Sequence, residues 1–73
     1  DYARTVKGVD IAFTVKYISD EETRVSLRSK QADVNAIASV FGGGGHVRAA
    51  GCTISAPLEK AKKMLIKEIL KAV

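Results

Sequence analysis

The hydrophobic pattern of this chain changes its period once, near residue 33, and that change limits what the chain can fold into. Apolar and polar residues alternate from Val9 to Ile18 and again from 23 to 29, a period of two that is typical of half-buried strands. From Val34 onward the apolar residues recur at intervals of three and four, as on one face of a helix. Strands followed by helices predict an α+β domain.

The two alternating segments are predicted to pair as a β-hairpin, because only the short polar turn "SDEE", residues 19–22, separates them. Arg24, Ser26 and Arg28 are expected on the polar face of the second strand. The residues predicted to face the core are Val9, Ile11, Phe13, Val15, Tyr17, Val25 and Leu27.

The first helix is predicted to follow Asp33, whose carboxylate can accept hydrogen bonds from the free amides of a first helical turn. Gly42 is expected to end this helix, because glycine reaches the left-handed conformation without steric cost. The buried stripe of the helix is predicted to be Val34, Ile37, Ala38 and Phe41.

The remainder of the chain is predicted to form a third strand and a second helix. "HVRAA" can close one helical turn, and "GCTIS" is typical of a strand with Cys52 and Ile54 on one side. Pro57 suits the start of the last helix, where its missing amide costs little. The predicted buried stripe of that helix is Leu58, Ala61, Leu65, Ile69 and Ala72, widened by Ile66 and Leu70.

These elements predict a small mixed β-sheet with helices packed on one face, in the order β-β-α-(glycine loop)-β-α. Residues 1–8 are expected to be a linker or the start of the first strand, and residues 9–73 a single domain with a thin core. Because the chain opens with Asp1 rather than Met, we expect it to be a fragment of a longer polypeptide.

The composition restricts the chemistry that this chain can perform. One cysteine excludes an internal disulfide, and one cysteine with one histidine cannot provide the four ligands of a structural zinc site. The aspartates are scattered, so no metal site is expected in this chain. Cys52 in an apolar run suits a reducing, cytoplasmic setting, and no apolar run approaches the length of a membrane span.

The net charge of +4 is concentrated in the last helix. From Pro57 onward five lysines stand against two glutamates, a local excess of +3. Such a face is most often solvated surface, and attraction to a phosphate backbone is the alternative.

The segment "SVFGGGGHVRAAG", residues 39–51, holds more glycine than a helix end requires. Either it is a loose connector, or its backbone approaches a ligand closely and its amides converge on anionic oxygens. His46 and Arg48 could donate to the same anion, and the guanidinium of Arg28 suits phosphate oxygens. The run matches neither a P-loop nor the Rossmann pattern, because it lacks the following Lys-Ser/Thr and the preceding strand.

"VSLRSK" followed by "DVNAIASVFGGGGHVRAAGCTI" resembles the C-terminal, DHH-associated domain of the DHH phosphoesterase family. That family includes RecJ-type exonucleases, nano-RNases that also act as pAp phosphatases (exopolyphosphatase-related proteins), and cyclic dinucleotide phosphodiesterases. The resemblance covers roughly residues 9–73 and is closest to the nano-RNase/pAp phosphatase branch.

The resemblance implies a substrate-binding role for named residues. Arg28 would reach substrate phosphate with Ser29 beside it, while Gly43, Gly44, Gly45 and His46 would form a loop on phosphate or base. A separate N-terminal DHH domain of the same protein would hold two manganese ions. This chain alone is therefore expected to be inactive, while its parent would be a hydrolase of short oligonucleotides, pAp or cyclic dinucleotides.

Three other interpretations stay open at the level of sequence. The chain could be a stand-alone RNA-binding module, since KH domains also clamp nucleic-acid backbone with a glycine loop, although theirs carries basic residues. It could be the related C-terminal domain of alanyl-tRNA synthetase. It could also be a structural or dimerisation domain in which the glycines are a hinge.

Overall fold

The computed structural model describes residues 2–6, 8 and 10–71 of the chain. In these residues five strands form one antiparallel sheet, and two helices pack against it. The sheet order is β1-β2-β3-β5-β4. The elements are β1 (Tyr2–Val6), β2 (Ile11–Ser19), β3 (Glu22–Ser29), α1 (Val34–Val40), β4 (Gly44–His46), β5 (Ala49–Ile54) and α2 (Leu58–Lys71). The predicted α+β class is confirmed.

The sheet differs from the predicted one in direction and in number of strands. All four strand pairs are antiparallel, so the prediction of a mixed sheet is wrong. The helical turn expected in "HVRAA" is also wrong, because the chain reverses after His46 and pairs β4 with β5 as a second hairpin. That reversal makes β5 run antiparallel to β3. Within residues 1–8, Tyr2–Val6 form a strand of their own against β2.

The β2–β3 hairpin is confirmed, and Ile11, Phe13 and Val15 are buried as the alternation predicts. Val25 and Leu27 are buried opposite them on β3. Val9 lies outside the described residues.

Tyr17 was expected to face the core, but its side chain is 52% exposed. The register shifts between Tyr17 and Ser19, at the end of the sheet, and the Tyr17 hydroxyl donates to the Asp20 carboxylate at 2.8 Å. That hydrogen bond to a carboxylate raises the pKa of Tyr17.

Helix α1 has the predicted ends. The Asp33 carboxylate accepts from the Ala36 amide at 3.1 Å, so Asp33 is the N-cap. Phe41 is the half-buried C-cap, and Gly42 follows with φ +78°. The inward face consists of Val34, Ile37 and Ala38, all buried.

Helix α2 covers the rest of the core face with Ala61, Leu65 and Ile69, which are fully buried, while Leu58 and Ile66 are half-buried. Leu70 was expected in this stripe, but it is 57% exposed. It follows Ile69 by one residue and so is turned by about 100° from the buried face. Ala72 lies outside the described residues. Neither helix in the described part of the chain is long and apolar enough to cross a membrane.

Both helices pack on the same face of the sheet, and their buried residues form one cluster with those of β2, β3 and β5. Among the described residues, Thr23 is the buried polar side chain of this core, and its hydroxyl donates to the Ala56 carbonyl at 2.9 Å. The opposite face of the sheet carries no helix in the described part of the chain, and we call it the open face.

Candidate functional site

The register of the sheet places Arg28 and His46 on the open face, on either side of Ala49. His46 is paired with Ala49, Ala49 with Arg28, and Arg28 with Ala12. Directly paired residues of an antiparallel sheet point to the same face. Because neighbouring strands are about 4.8 Å apart, the backbones of Arg28 and His46 are separated by about 10 Å. Both side chains are exposed.

Small and hydroxyl-bearing residues form the floor beside this pair. The next row of the open face runs from Gly44 through Gly51 and Ser26 to Thr14. A shallow depression of about 260 Å³ lies here, and Ser26, Arg28, Gly44, Ala49 and Gly51 are among its lining residues. The absence of bulky side chains leaves room for a planar or anionic ligand to approach the backbone.

A second depression, of about 400 Å³, lies on the other side of Arg28. It is lined by Thr5, Asp10, Ala12, Arg28, Ser29 and Lys30. Arg28 thus lines both depressions, and its guanidinium can donate to a ligand in either one.

Two of the predicted ligand glycines have structural reasons to be glycine. A Cβ on Gly43 would lie 2.2 Å from the Gly51 carbonyl oxygen and 2.5 Å from Cys52 Cβ, so the segment between α1 and β4 approaches β5 too closely for any side chain there. Gly45 has φ +146°, and a Cβ would lie 2.7 Å from the Ala49 carbonyl oxygen.

Gly44 differs from its neighbours, because the nearest atom to an added Cβ is Asn35 Oδ1 at 3.6 Å. Among the four glycines, all of which the structure describes, Gly42 serves the helix end, Gly43 and Gly45 serve packing, and Gly44 lines the depression. Much of the glycine excess that the sequence attributes to a ligand is therefore explained by packing. The packed backbone at Gly43 also argues against a loose hinge.

Arg48 and Ser29 are positioned to fix the loop before α1. The Arg48 guanidinium donates to the Ala32 carbonyl at 3.0 Å, and the Ser29 hydroxyl donates to the same oxygen. The Ser29 amide also donates to the Arg48 carbonyl at 3.1 Å, and the Val34 amide to the Val47 carbonyl at 2.8 Å. Ser29 lines the second depression, whereas Arg48 lies in the β4–β5 turn, engaged with this loop.

Sequence reasoning missed part of the open face. The alternation leaves Ala12 and Thr14 on the side of β2 opposite its buried residues, but only the strand register shows that they lie beside Arg28 and Ser26. The signal that could have found them is the same alternation, extended across the hairpin.

The described residues contain no group of three or more His, Cys, Asp or Glu side chains that could hold a metal ion. Cys52 is buried under the sheet, and burial raises the pKa of its thiol. The resemblance places manganese ions in a separate N-terminal DHH domain, not among the residues of this chain.

The loop also differs from the loop of a KH domain. The glycines follow α1 and lead directly into β4 and β5, and the described residues after them form strands rather than a second helix.

A family model described as the DHHA1 domain matches residues 1–73, the full length of the chain. DHHA1 domains are DHH-associated: they accompany DHH phosphoesterases and normally sit with an N-terminal DHH domain.

Proposed function

This chain belongs to the DHHA1 domain family, and we propose that its open face is the substrate-binding surface of a manganese-dependent DHH phosphodiesterase acting on short oligonucleotides or pAp. The observation that carries the proposal is the row in which Arg28 and His46 flank Ala49 on an exposed face. Manganese would be held by the N-terminal DHH domain and would supply Lewis acidity and an activated hydroxide there.

The residues of this chain would bind and orient the substrate. The planar guanidinium of Arg28 can donate two parallel hydrogen bonds to phosphate oxygens. His46 can donate to a second phosphate oxygen or stack against a base. The floor of Ala49, Gly44 and Gly51 lets the sugar and base approach the sheet without collision. Fixing the phosphate in this way reduces the entropy that the reaction must lose.

The direct test is a titration of pAp and of the dinucleotide pApA into the isotopically labelled chain, followed by amide chemical shifts. We expect shifts at Gly44, His46, Ala49 and Arg28. Arg28→Gln should weaken binding about tenfold or more, because a hydrogen bond to a charged group contributes roughly 1.5–3 kcal/mol. Lys63→Gln, which removes one charge from the outer face of α2, is the matched control.

Shifts confined to other surfaces, or equal losses for Arg28→Gln and Lys63→Gln, would contradict the proposal. In the full-length protein, His46→Ala should lower kcat/KM and leave the fold intact. Normal kinetics for that variant would assign His46 a structural role only.

A further inference from the structure

A like-charged pair lies at the far end of the open face. The register places Lys16 of β2 directly opposite Arg24 of β3, with both side chains exposed. Like charges directly opposite each other in an antiparallel pair are destabilising. The pair therefore costs stability, and folding alone gives no reason for it.

Nothing in the described part of the chain neutralises this pair by an ion pair. The salt bridges found among the described residues lie on α2, between Lys62 and Glu59 and between Lys71 and Glu68. On β5 the residue opposite Arg24 is Thr53, which is uncharged. Glu22 lies two positions before Arg24 on β3, but it makes no salt bridge to it.

The pair lies on the same face as the site around Arg28 and is connected to it by a polar path. Arg24, Ser26 and Arg28 alternate along β3, so all three point to the open face. Ser26 and its partner Thr14 carry hydroxyl groups between the two ends. At about 3.4 Å per residue, Arg24 and Arg28 are about 14 Å apart along the strand.

We propose that Lys16 and Arg24 form a distal phosphate subsite for a single-stranded oligonucleotide whose first phosphate binds at Arg28. The inference rests on the proposed function, and it adds a preferred substrate length. A stacked strand rises about 3.4 Å per nucleotide, so about 14 Å requires four steps, from the first phosphate to the fifth, and a hexanucleotide, with five steps, reaches both ends. A dinucleotide reaches Arg28 but falls short of the distal pair.

Charge and surface character favour a nucleic-acid strand over a membrane as the ligand of this face. A membrane-binding surface needs an apolar patch to insert, whereas the path from Arg28 to Arg24 is made of hydroxyl groups and glycine. The open face carries Arg28 at one end and Lys16 with Arg24 at the other, with hydroxyl groups between them. This arrangement suits a single-stranded nucleic acid, whose phosphates recur at regular intervals.

The test compares oligoadenylates of two, three, four and six nucleotides, each with a 5′-phosphate, by fluorescence anisotropy at 50 and 200 mM salt. The double variant Lys16→Gln/Arg24→Gln removes the distal charges. Lys63→Gln/Lys67→Gln removes the same charge from the exposed side of α2, across the sheet, and is the control. Inorganic polyphosphate of matched charge is titrated in parallel.

For the unmodified chain, we expect the hexanucleotide to bind about tenfold more tightly than the dinucleotide. The distal double variant should lose that advantage and keep its dinucleotide affinity within about twofold. It should also reduce the slope of log K against log salt by about 0.7, the contribution of one single-strand phosphate contact. The α2 control should keep the length dependence.

Two results would overturn the inference: an unchanged length dependence in the distal variant, or equal losses for dinucleotide and hexanucleotide. Polyphosphate binding as tightly as the hexanucleotide would overturn the assignment to nucleic acid. The Arg28→Gln variant separates the two proposals. If it abolishes dinucleotide binding while the distal variant changes nothing, the distal subsite is wrong and the proposed function stands.

Discussion

The contrast between Gly43 and Gly44 gives the sharpest prediction for this fold, because two adjacent glycines have opposite steric surroundings. Replacing Gly43 by alanine places a methyl group 2.2 Å from the Gly51 carbonyl oxygen and 2.5 Å from Cys52 Cβ. Carbon atoms in van der Waals contact are about 3.5–4.0 Å apart, so β5 would have to move by roughly 1 Å or more. The neighbouring atoms are backbone or directly attached to it, so no flexible side chain can relieve the clash.

Such overpacking costs typically about 1–3 kcal/mol, and rigid backbone at the contact favours the upper end of that range. A domain of this length is stable by roughly 4–11 kcal/mol, so the loss is a substantial fraction of the total. It corresponds to a decrease in Tm of about 10–20 °C, at 4–8 °C per kcal/mol.

Gly44→Ala is the matched control. Its added methyl group meets Asn35 Oδ1 at the ordinary distance of 3.6 Å, and its backbone φ lies outside the left-handed region. The replacement should leave stability unchanged or raise it by up to about 1 kcal/mol, because alanine restricts the unfolded chain. The methyl group also enters the depression on the open face, so binding of pAp should weaken.

Urea unfolding followed by circular dichroism measures both free energies, and anisotropy measures binding. If Gly43→Ala proved as stable as the unmodified chain, the close approach of the Gly43 backbone to β5 would be wrong. If Gly44→Ala lost as much stability as Gly43→Ala, the assignment of separate roles to the two glycines would fail.

Three further predictions concern the sheet. Lys16→Glu should raise the free energy of unfolding by about 0.2–1 kcal/mol, because it converts the repulsive pair with Arg24 into an attractive one, and it should weaken hexanucleotide binding; a loss of stability in urea unfolding would contradict this. Thr23→Val should cost about 1–3 kcal/mol in the same assay, because the Ala56 carbonyl loses its hydroxyl donor in the core; an unchanged midpoint would mean that water replaces the donor. Because burial raises the pKa of the Cys52 thiol in the folded chain, the stability that the thiol contributes is full below its ordinary pKa and is lost as pH rises through the raised pKa. The unmodified chain should therefore lose stability at alkaline pH relative to Cys52→Ala, and parallel pH profiles of the two would refute it.

Local periodicity predicted those parts of the fold that depend on neighbours in sequence. The hairpin, the Asp33 cap and the inward faces of both helices follow from alternation and from three- and four-residue spacing. Leu70 and Tyr17 were misassigned because both lie at the margin of a buried face, where pattern cannot decide exposure.

The parts that sequence reasoning missed depend on pairing between distant segments. β4 has three residues, two of them glycine, and it is a strand only because β5 pairs with it. The reasons for Gly43 and Gly45 lie in contacts with β5.

The site was predictable in its residue types but not in its geometry. Arg28 and His46 were chosen for their donors, while their shared row depends on the registers of two strand pairs. No local sequence pattern predicts the hydrogen bonds that the side chains of Arg48 and Ser29 donate to the Ala32 carbonyl. Substrate binding stays a prediction, which the titrations above test, for the seven residues chosen from the sequence: Arg28, Ser29, Gly43, Gly44, Gly45, His46 and Arg48.

The hydrogen bonds around Ala32 have a consequence for the timing of local opening. Two backbone hydrogen bonds hold the turn after His46: the Ser29 amide at the end of β3 donates to the Arg48 carbonyl, and the Val34 amide at the start of α1 donates to the Val47 carbonyl. The two sides of the site should therefore open together as one cooperative unit, and the Ser29 and Val34 amides should exchange with solvent deuterium at a common rate. The donors Arg28 and His46 would therefore be held at the separation that the ligand needs, so that binding costs little conformational entropy.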